Sequence, residues 1–147
     1  MSLHEKLRGK RVYFDANIFI YLVEGFRELE AQLETIRASI LNAECIVFTS
    51  ELTLAEVLVA PFQLGNAELV TNNRNFIEAS GAFTLLPTTR ETYIRASLYR
   101  AKFNMKTPDA IHMASAVEAR CEVFVSNDKG IKAPTGIEMV LIGEAVR

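Results

Sequence analysis

The sequence has few of the residues that stabilise a small secreted protein and no long hydrophobic run. Its 2 cysteines, Cys45 and Cys121, lie far apart without a CxxC pair, which argues against a disulfide framework or a structural zinc site. The longest unbroken apolar run covers residues 18–23, much less than the roughly 20 residues of a membrane-spanning helix. We therefore expect no membrane partner and a location in a reducing cytoplasm.

The sequence also lacks a basic excess. Its formal net charge is -2, whereas nucleic-acid-binding domains are usually strongly basic, so any such binding must depend on local charge. Hydrophobic residues make up 50% and charged residues 23% of the chain, which excludes a disordered protein. The length of 147 residues predicts a single domain over residues 1–147.

Short apolar runs alternate with amphipathic segments along the chain. We expect strands at residues 12–14, 45–49, 83–86, 122–125 and 139–142. We expect helices at residues 16–24, 27–43, 52–62, 66–80, 89–103 and 107–120, with Ser50 and Thr107 as N-caps. This alternation predicts an α/β domain in which helices flank a mostly parallel sheet of four to five strands.

Aspartate is scarce, and its positions are informative. The 18 acidic residues include only three aspartates, Asp15, Asp109 and Asp128. Asp15 and Asp128 follow predicted strands, and parallel sheets bind ligands outside the carboxyl ends of their strands. Taken singly, Asp15 is also typical of a helix cap, Asp109 of a first helical turn and Asp128 of a turn.

Glu56 lies in a predicted helix that is apolar on nearly every side. At 100° per residue its side chain projects between Leu52 and Ala60, next to Val59, so a solvated stripe is not expected there. An unpaired buried carboxylate costs several kcal/mol or retains its proton, and a bound cation is one way to stabilise it. The alternative is a glutamate at a helix edge that reaches water.

Four carboxylates that meet at strand ends would repel one another unless a hard cation lay between them. Oxygen ligands are those that Mg²⁺ or Mn²⁺ prefers. Such ions lower the pKa of a bound water and polarise a phosphoryl oxygen, so phosphodiester hydrolysis is the natural reaction.

The motifs around these acids resemble those of PIN-domain ribonucleases, most closely the toxins of prokaryotic VapBC-type toxin–antitoxin pairs. The similar segments are VYFDANIFIY, SELTLAEVLVAP, TPDAIHMASA and VSND, in that order along nearly the whole chain. The resemblance implies that Asp15, Glu56, Asp109 and Asp128, hereafter the four acids, hold Mg²⁺ or Mn²⁺ and carry catalysis.

The resemblance also implies in-line attack of a metal-activated water on phosphorus, which leaves a 5′-phosphate and a 3′-hydroxyl. It implies an RNA substrate, a cognate antitoxin that covers the acidic site, and a homodimer. Asn17, Ser126 and Asn127 match polar positions that orient ligands or water. The chain departs from the family at Ala16, where many relatives carry Thr or Ser, and in the absence of an acid just after Asp128.

A basic segment precedes Asp109. Its members are Arg95, Arg100, Lys102 and Lys106, with no acid among residues 92–108. Such charges bind RNA phosphates without regard to sequence, although a solvated basic helix face has the same composition. We interpret His112, one helical turn after Asp109, as a packed residue or one that supports a ligand.

Two other functions remain open from the sequence. A strand-end aspartate such as Asp15 also serves as a nucleophile in phosphatases and phosphotransferases, although the haloacid-dehalogenase pattern requires a second aspartate where this chain has Asn17. A non-catalytic RNA- or protein-binding module with the same fold is the other alternative, because a fold alone does not establish activity.

Overall fold

The structure is a computed structural model that describes residues 1–144, and its centre is one parallel sheet. Five strands form this sheet in the order β3-β2-β1-β4-β5, and every neighbouring pair is parallel. The strands are β1 (Arg11–Phe14), β2 (Ile46–Ser50), β3 (Phe83–Leu86), β4 (Val123–Ser126) and β5 (Glu138–Leu141). The predicted α/β class with a parallel sheet is confirmed.

Helices connect and cover the strands. Within residues 1–144 they are α1 (Leu3–Leu7), α2 (Ala16–Glu24), α3 (Glu30–Leu41), α4 (Leu52–Val57), α5 (Val59–Gln63), α6 (Ala67–Glu78), α7 (Arg90–Phe103) and α8 (Thr107–Glu118). None of these helices has both the length and the apolar character needed to cross a membrane.

Side-chain alternation along the strands divides the core into two layers. Val12 and Phe14 of β1 pack with α1, α2 and α3 on one face of the sheet. Tyr13 points to the other face, where it packs with Phe48, Phe124 and the buried side of α8. Because side chains alternate along a strand, β1 contributes to both layers and lies at the centre of the domain.

The strand order creates a crevice at the carboxyl edge of the sheet. The chain adds β2 and β3 on one side of β1 and then adds β4 and β5 on the other side. The side on which new strands are added therefore changes between β1 and β4. Open α/β sheets bind their ligands at this switch point. Asp15 follows β1 and Asp128 lies two residues beyond β4.

The helix predicted at residues 52–62 is divided in two by the structure. α4 ends at Val57 and α5 begins at Val59, with Leu58 between them. The physical reason is Pro61, which has no backbone N–H to donate and whose ring clashes with the carbonyl four residues earlier.

Both predicted N-caps are wrong. Ser50 is the last residue of β2, and Glu51 precedes α4 without a side-chain cap. Thr107 is the first residue of α8, and Lys106 occupies the cap position without a side-chain hydrogen bond. Pro108 supplies the start signal instead, because its fixed φ suits the first helical turn and its missing N–H leaves no donor unsatisfied there.

An aromatic cluster on the α2 face of the sheet provides a test of this core. The ring of Phe19 lies 5.9 Å from that of Phe14 and 4.8 Å from that of Phe83, centroid to centroid. We expect Phe19→Leu to lower the free energy of unfolding by about 1–2 kcal/mol, because it removes edge-to-face contacts and buried volume. Urea unfolding of Phe19→Leu and of Leu41→Ala, whose side chain is exposed, checks this, and equal effects in the two variants would contradict it.

Candidate functional site

Asp15 is buried at the carboxyl end of the central strand. It is the N-cap of α2, where its Oδ1 accepts a hydrogen bond from the Ile18 amide at 3.3 Å. Its Oδ2 accepts a hydrogen bond from the Ser126 hydroxyl at 2.5 Å. Only 4% of the residue is exposed. The helix-cap interpretation of Asp15 is therefore confirmed, and the cap places its carboxylate at the crevice.

Ser126 links Asp15 to the loop that carries Asp128. The Asp128 amide donates to the Ser126 Oγ at 3.0 Å, while the same hydroxyl donates to Asp15. The Asp128 carboxylate in turn accepts from the Gly130 amide at 2.8 Å, which is the turn arrangement expected for an aspartate. One hydroxyl thereby couples the ends of two neighbouring strands.

Glu56 is more exposed than the sequence indicates. Its side chain retains 36% exposure, and its Oε1 lies 2.5 Å from the Nε2 of buried His112. The predicted need for a partner is met by this histidine from α8, which α4 contacts directly. Val59 and Ala60, which the helical periodicity places beside Glu56, are themselves exposed, so the apolar composition of this segment does not indicate burial of Glu56.

Tyr13 is a site residue that the sequence analysis missed. Its hydroxyl lies 2.7 Å from His112 Nδ1 and accepts a hydrogen bond from the Ser50 amide at 3.1 Å. Strand alternation indicates that Tyr13 faces away from Val12 and Phe14, but it does not show which helix covers that face. The interpretation of His112 as a packed, supporting residue agrees with these contacts.

The four acids share one electrostatic environment. The pKa of Asp15 is raised to about 6, mainly by burial and to a smaller extent by the charge of Asp109, while the hydrogen bond from Ser126 opposes the rise. Burial also raises the pKa of Asp109, and the charges of Asp128 and Glu56 add to this effect. Asp109 is thus close enough to each of the other three acids for their charges to interact.

This donor set suits a hard divalent cation. Repelling carboxylates, one of them buried with a raised pKa, are stabilised by a positive charge between them, and their oxygens match Mg²⁺ or Mn²⁺. Across residues 1–144, however, no three His, Cys, Asp or Glu side chains already form a metal-binding group.

The three supporting residues differ in position. Ser126 lies between Asp15 and Asp128, as described above. Asn17 is exposed in the first turn of α2. The Asn127 Oδ1 accepts a hydrogen bond from the Gly143 amide at 3.1 Å, so this side chain anchors the segment after β5. A Cβ on residue 143 would lie 2.7 Å from that oxygen, so a larger residue there would require the Asn127 side chain to shift.

The basic segment is exposed along α7 and the residues after it. Lys106 is the member whose charge acts on Asp109 and lowers its pKa. At 100° per residue, Arg95 and Lys102 lie on one side of α7 and Arg100 on another. The segment therefore presents cations in more than one direction, and Lys106 borders the acids.

Comparison with known protein families identifies the domain. A family model of the PIN domain matches residues 12–136. The chain belongs to the PIN domain family. A search of curated proteins returns no match.

Several solved structures similar to this PIN domain are described as a toxin–antitoxin complex, a VapBC complex or a VapC toxin, which confirms the resemblance drawn from its motifs. A toxin–antitoxin complex from Klebsiella pneumoniae aligns with 25% identity and a TM-score of 0.59, over 86% of this chain and 94% of that chain. VapBC2 from Rickettsia felis, bound to a promoter DNA fragment, aligns with 12% identity and a TM-score of 0.66, over 88% of this chain and 97% of that chain. Mycobacterium tuberculosis VapC20, described as a sarcin-ricin loop cleaving toxin, aligns with 13% identity and a TM-score of 0.62, over 77% of this chain and 86% of that chain.

The buried carboxylate of this PIN domain predicts a pH-dependent stability. Asp15 has a folded-state pKa of about 6 against an ordinary value of 3.8, so the folded state binds the proton more tightly than the unfolded state. The free energy of unfolding therefore falls as pH rises from about 4 to about 6, and the ionised side chain remains a cost above that range.

We expect Asp15→Asn, which cannot ionise, to raise the free energy of unfolding at pH 7.5 by about 1–2 kcal/mol without metal. The gain should vanish at pH 4. Urea unfolding in the presence of chelator measures both values. Glu138→Gln is the control, because Glu138 is an exposed acid of β5. A gain that is equal at the two pH values would contradict the assignment to Asp15.

Proposed function

We propose that this PIN domain is a metal-dependent endoribonuclease that hydrolyses RNA phosphodiester bonds as the toxin of a toxin–antitoxin pair. The observation that carries this proposal is the meeting of the four acids at the switch point of the sheet. Ser126 links Asp15 to Asp128, and His112, one helical turn after Asp109, contacts Glu56. Membership of the PIN family supports the nuclease class.

Mg²⁺ or Mn²⁺ is the proposed cofactor, and the four acids are its proposed ligands. When bound, the ion supplies an acidified water and a Lewis acid for the phosphoryl oxygen. The family resemblance implies that water attacks phosphorus in line with the bond to the 3′-oxygen. That bond breaks and the 3′-oxygen leaves as a hydroxyl, so the products are a 5′-phosphate and a 3′-hydroxyl, and no 2′-hydroxyl attack is required.

The protein groups prepare this chemistry by fixing the carboxylates. The Ile18 amide and the Ser126 hydroxyl each hold one oxygen of Asp15, so that carboxylate has one orientation. The Gly130 amide holds one oxygen of Asp128. Lys106, whose charge acts on Asp109, lies where it can attract a phosphate of the substrate towards the acids.

A phosphatase that uses Asp15 as a nucleophile is disfavoured by the residue two positions later. Asn17 stands where the haloacid-dehalogenase pattern requires a second aspartate. Each Asp15 oxygen accepts one hydrogen bond, which leaves a lone pair on each for a bound cation.

An antitoxin and a second copy of the chain are the proposed protein partners. Support for the antitoxin comes from the similar chains in the Klebsiella pneumoniae and Rickettsia felis structures, which are toxin–antitoxin complexes. A homodimer follows from the family resemblance, and analytical ultracentrifugation of the purified chain tests it.

The central experiment measures RNA cleavage by protein that has been freed of any bound partner. We expect fragments from total RNA with Mn²⁺ or Mg²⁺ and none with chelator. Asp109→Asn should reduce the cleavage rate by about 100-fold or more, because it removes a charge at the point where the four acids interact.

Glu118→Gln is the matched control, since it also neutralises an acid of α8 but lies at the exposed far end of that helix. It should cleave like the unsubstituted chain. Cleavage that persists undiminished in Asp109→Asn, or that continues in chelator, would refute the proposed site.

The basic segment generates a separate expectation about RNA affinity. We expect Lys106→Gln to weaken RNA binding and to reduce the slope of log affinity against log salt by about 1, because one phosphate contact is lost. Lys10→Gln serves as the control, since Lys10 precedes β1 at the opposite edge of the sheet. Filter binding at several stated salt concentrations measures both, and equal slopes for the two variants would contradict the role of Lys106.

A further inference from the structure

A chain of hydrogen bonds runs from the sheet to Glu56. The Ser50 amide donates to the Tyr13 hydroxyl at 3.1 Å, and that hydroxyl lies 2.7 Å from His112 Nδ1. His112 Nε2 lies 2.5 Å from Glu56 Oε1. The links join β2, β1, α8 and α4, which meet at the carboxyl edge of the sheet.

The partners of His112 define where its proton lies. An ionised carboxylate only accepts hydrogen bonds, so Nε2 carries the hydrogen towards Glu56. Nδ1 is then the acceptor for the Tyr13 hydroxyl, which burial keeps protonated by raising its pKa. The phenol receives the Ser50 amide hydrogen on its oxygen and donates its own hydrogen to the ring, so each link has one donor and one acceptor.

Glu56 needs such an anchor more than the three aspartates do. Its side chain has one more rotatable bond than aspartate, it is 36% exposed, and α4 ends one residue later. His112 is 1% exposed and is held in the densely packed middle of α8. A rigid donor from the core therefore fixes Oε1 of an otherwise mobile carboxylate, while Oε2 stands outside that hydrogen bond.

We propose that His112 is a positioning residue that aims the Glu56 carboxylate at the metal-binding acids, with the Tyr13 hydroxyl fixing the ring tautomer. The inference rests on the proposed function and assigns roles to two residues outside the four acids. Groups that hydrogen-bond to a metal ligand typically change metal affinity by about 10- to 100-fold when they are removed.

The pair His112→Gln and His112→Asn tests this role. A glutamine amide reaches the place of Nε2 and retains a donor for Glu56, whereas an asparagine amide reaches only the place of Nδ1. We expect His112→Gln to bind Mn²⁺ within about threefold of the unsubstituted chain and His112→Asn to bind about tenfold more weakly or worse, as measured by titration calorimetry. Equal Mn²⁺ affinities for the two variants would overturn the proposal.

A destabilised control separates positioning from a general loss of structure. Ile36 is a buried residue of α3, on the other face of the sheet. Ile36→Val removes one methylene from that core and lowers the free energy of unfolding by about 1 kcal/mol. Its Mn²⁺ affinity should be unchanged. A loss of affinity in Ile36→Val equal to that in His112→Asn would overturn the positioning role.

A readout without metal tests the hydrogen-bond chain directly. Nitrogen-15 chemical shifts of His112 in the chelated protein should show a protonated Nε2 and an unprotonated Nδ1, and Tyr13→Phe should weaken this preference. A ring that carries its only proton on Nδ1 would overturn the inference and leave the proposed function standing. A different outcome is a protonated Nε2 in an unsubstituted chain that does not bind Mn²⁺. That outcome would overturn the proposed metal site and, with it, the proposal that His112 positions Glu56 for metal binding.

Discussion

The carboxylate of Asp15 is buried at the end of the central strand, and the arrangement of the site depends on how that charge is accommodated. Burial disfavours ionisation and raises its pKa to about 6, while the Ile18 amide and the Ser126 hydroxyl favour the charged form. These two donors come from the first turn of α2 and from β4. The acid therefore requires that β1, β4 and α2 meet at one point, and the parallel pairing of β1 with β4 at the switch point provides this meeting.

β1 combines two tasks because its side chains alternate. Val12 and Phe14 pack into the core below α2, whereas Tyr13 faces α8 and connects that core layer to His112. The four-residue strand β1 is thus followed directly by one acid, Asp15. Through Tyr13 and His112 it also orients a second acid, Glu56. The packing of α8, whose residues from Ala110 to Ala116 are buried, fixes Asp109 and His112 on a rigid element, and rigid elements hold functional groups more precisely than loops.

The sequence predicts most of the fold and part of the site, for physical reasons that differ between residues. Asp15 and Asp128 follow apolar strand patterns, and the carboxyl ends of parallel strands meet, so their proximity is predictable. Glu56 and His112 lie on separate helices. Hydrophobic periodicity indicates which face of a helix is buried, but it does not indicate which other helix packs against that face, so the contact between these two residues could not be predicted. The supporting role of Asn127 stays a prediction, and its contact with the Gly143 amide could not be predicted because residue 143 lies far from it in the sequence.

Electrostatic repulsion opposes the close approach of the four acids. Asp109 is destabilised as an anion by Asp128 and Glu56 as well as by burial, so bringing all four carboxylates into contact would raise the free energy of the folded state further. Each acid except Asp109 is instead held by a hydrogen bond to a group outside the cluster: Ser126 for Asp15, Gly130 for Asp128 and His112 for Glu56. These external anchors limit how far the carboxylates can separate, and the repulsion that remains is the free energy a divalent cation would relieve. Affinity for a cation and stability of the fold are therefore opposed at Asp15 and Asp109, because the burial and repulsion that favour a bound cation also destabilise the ionised carboxylates.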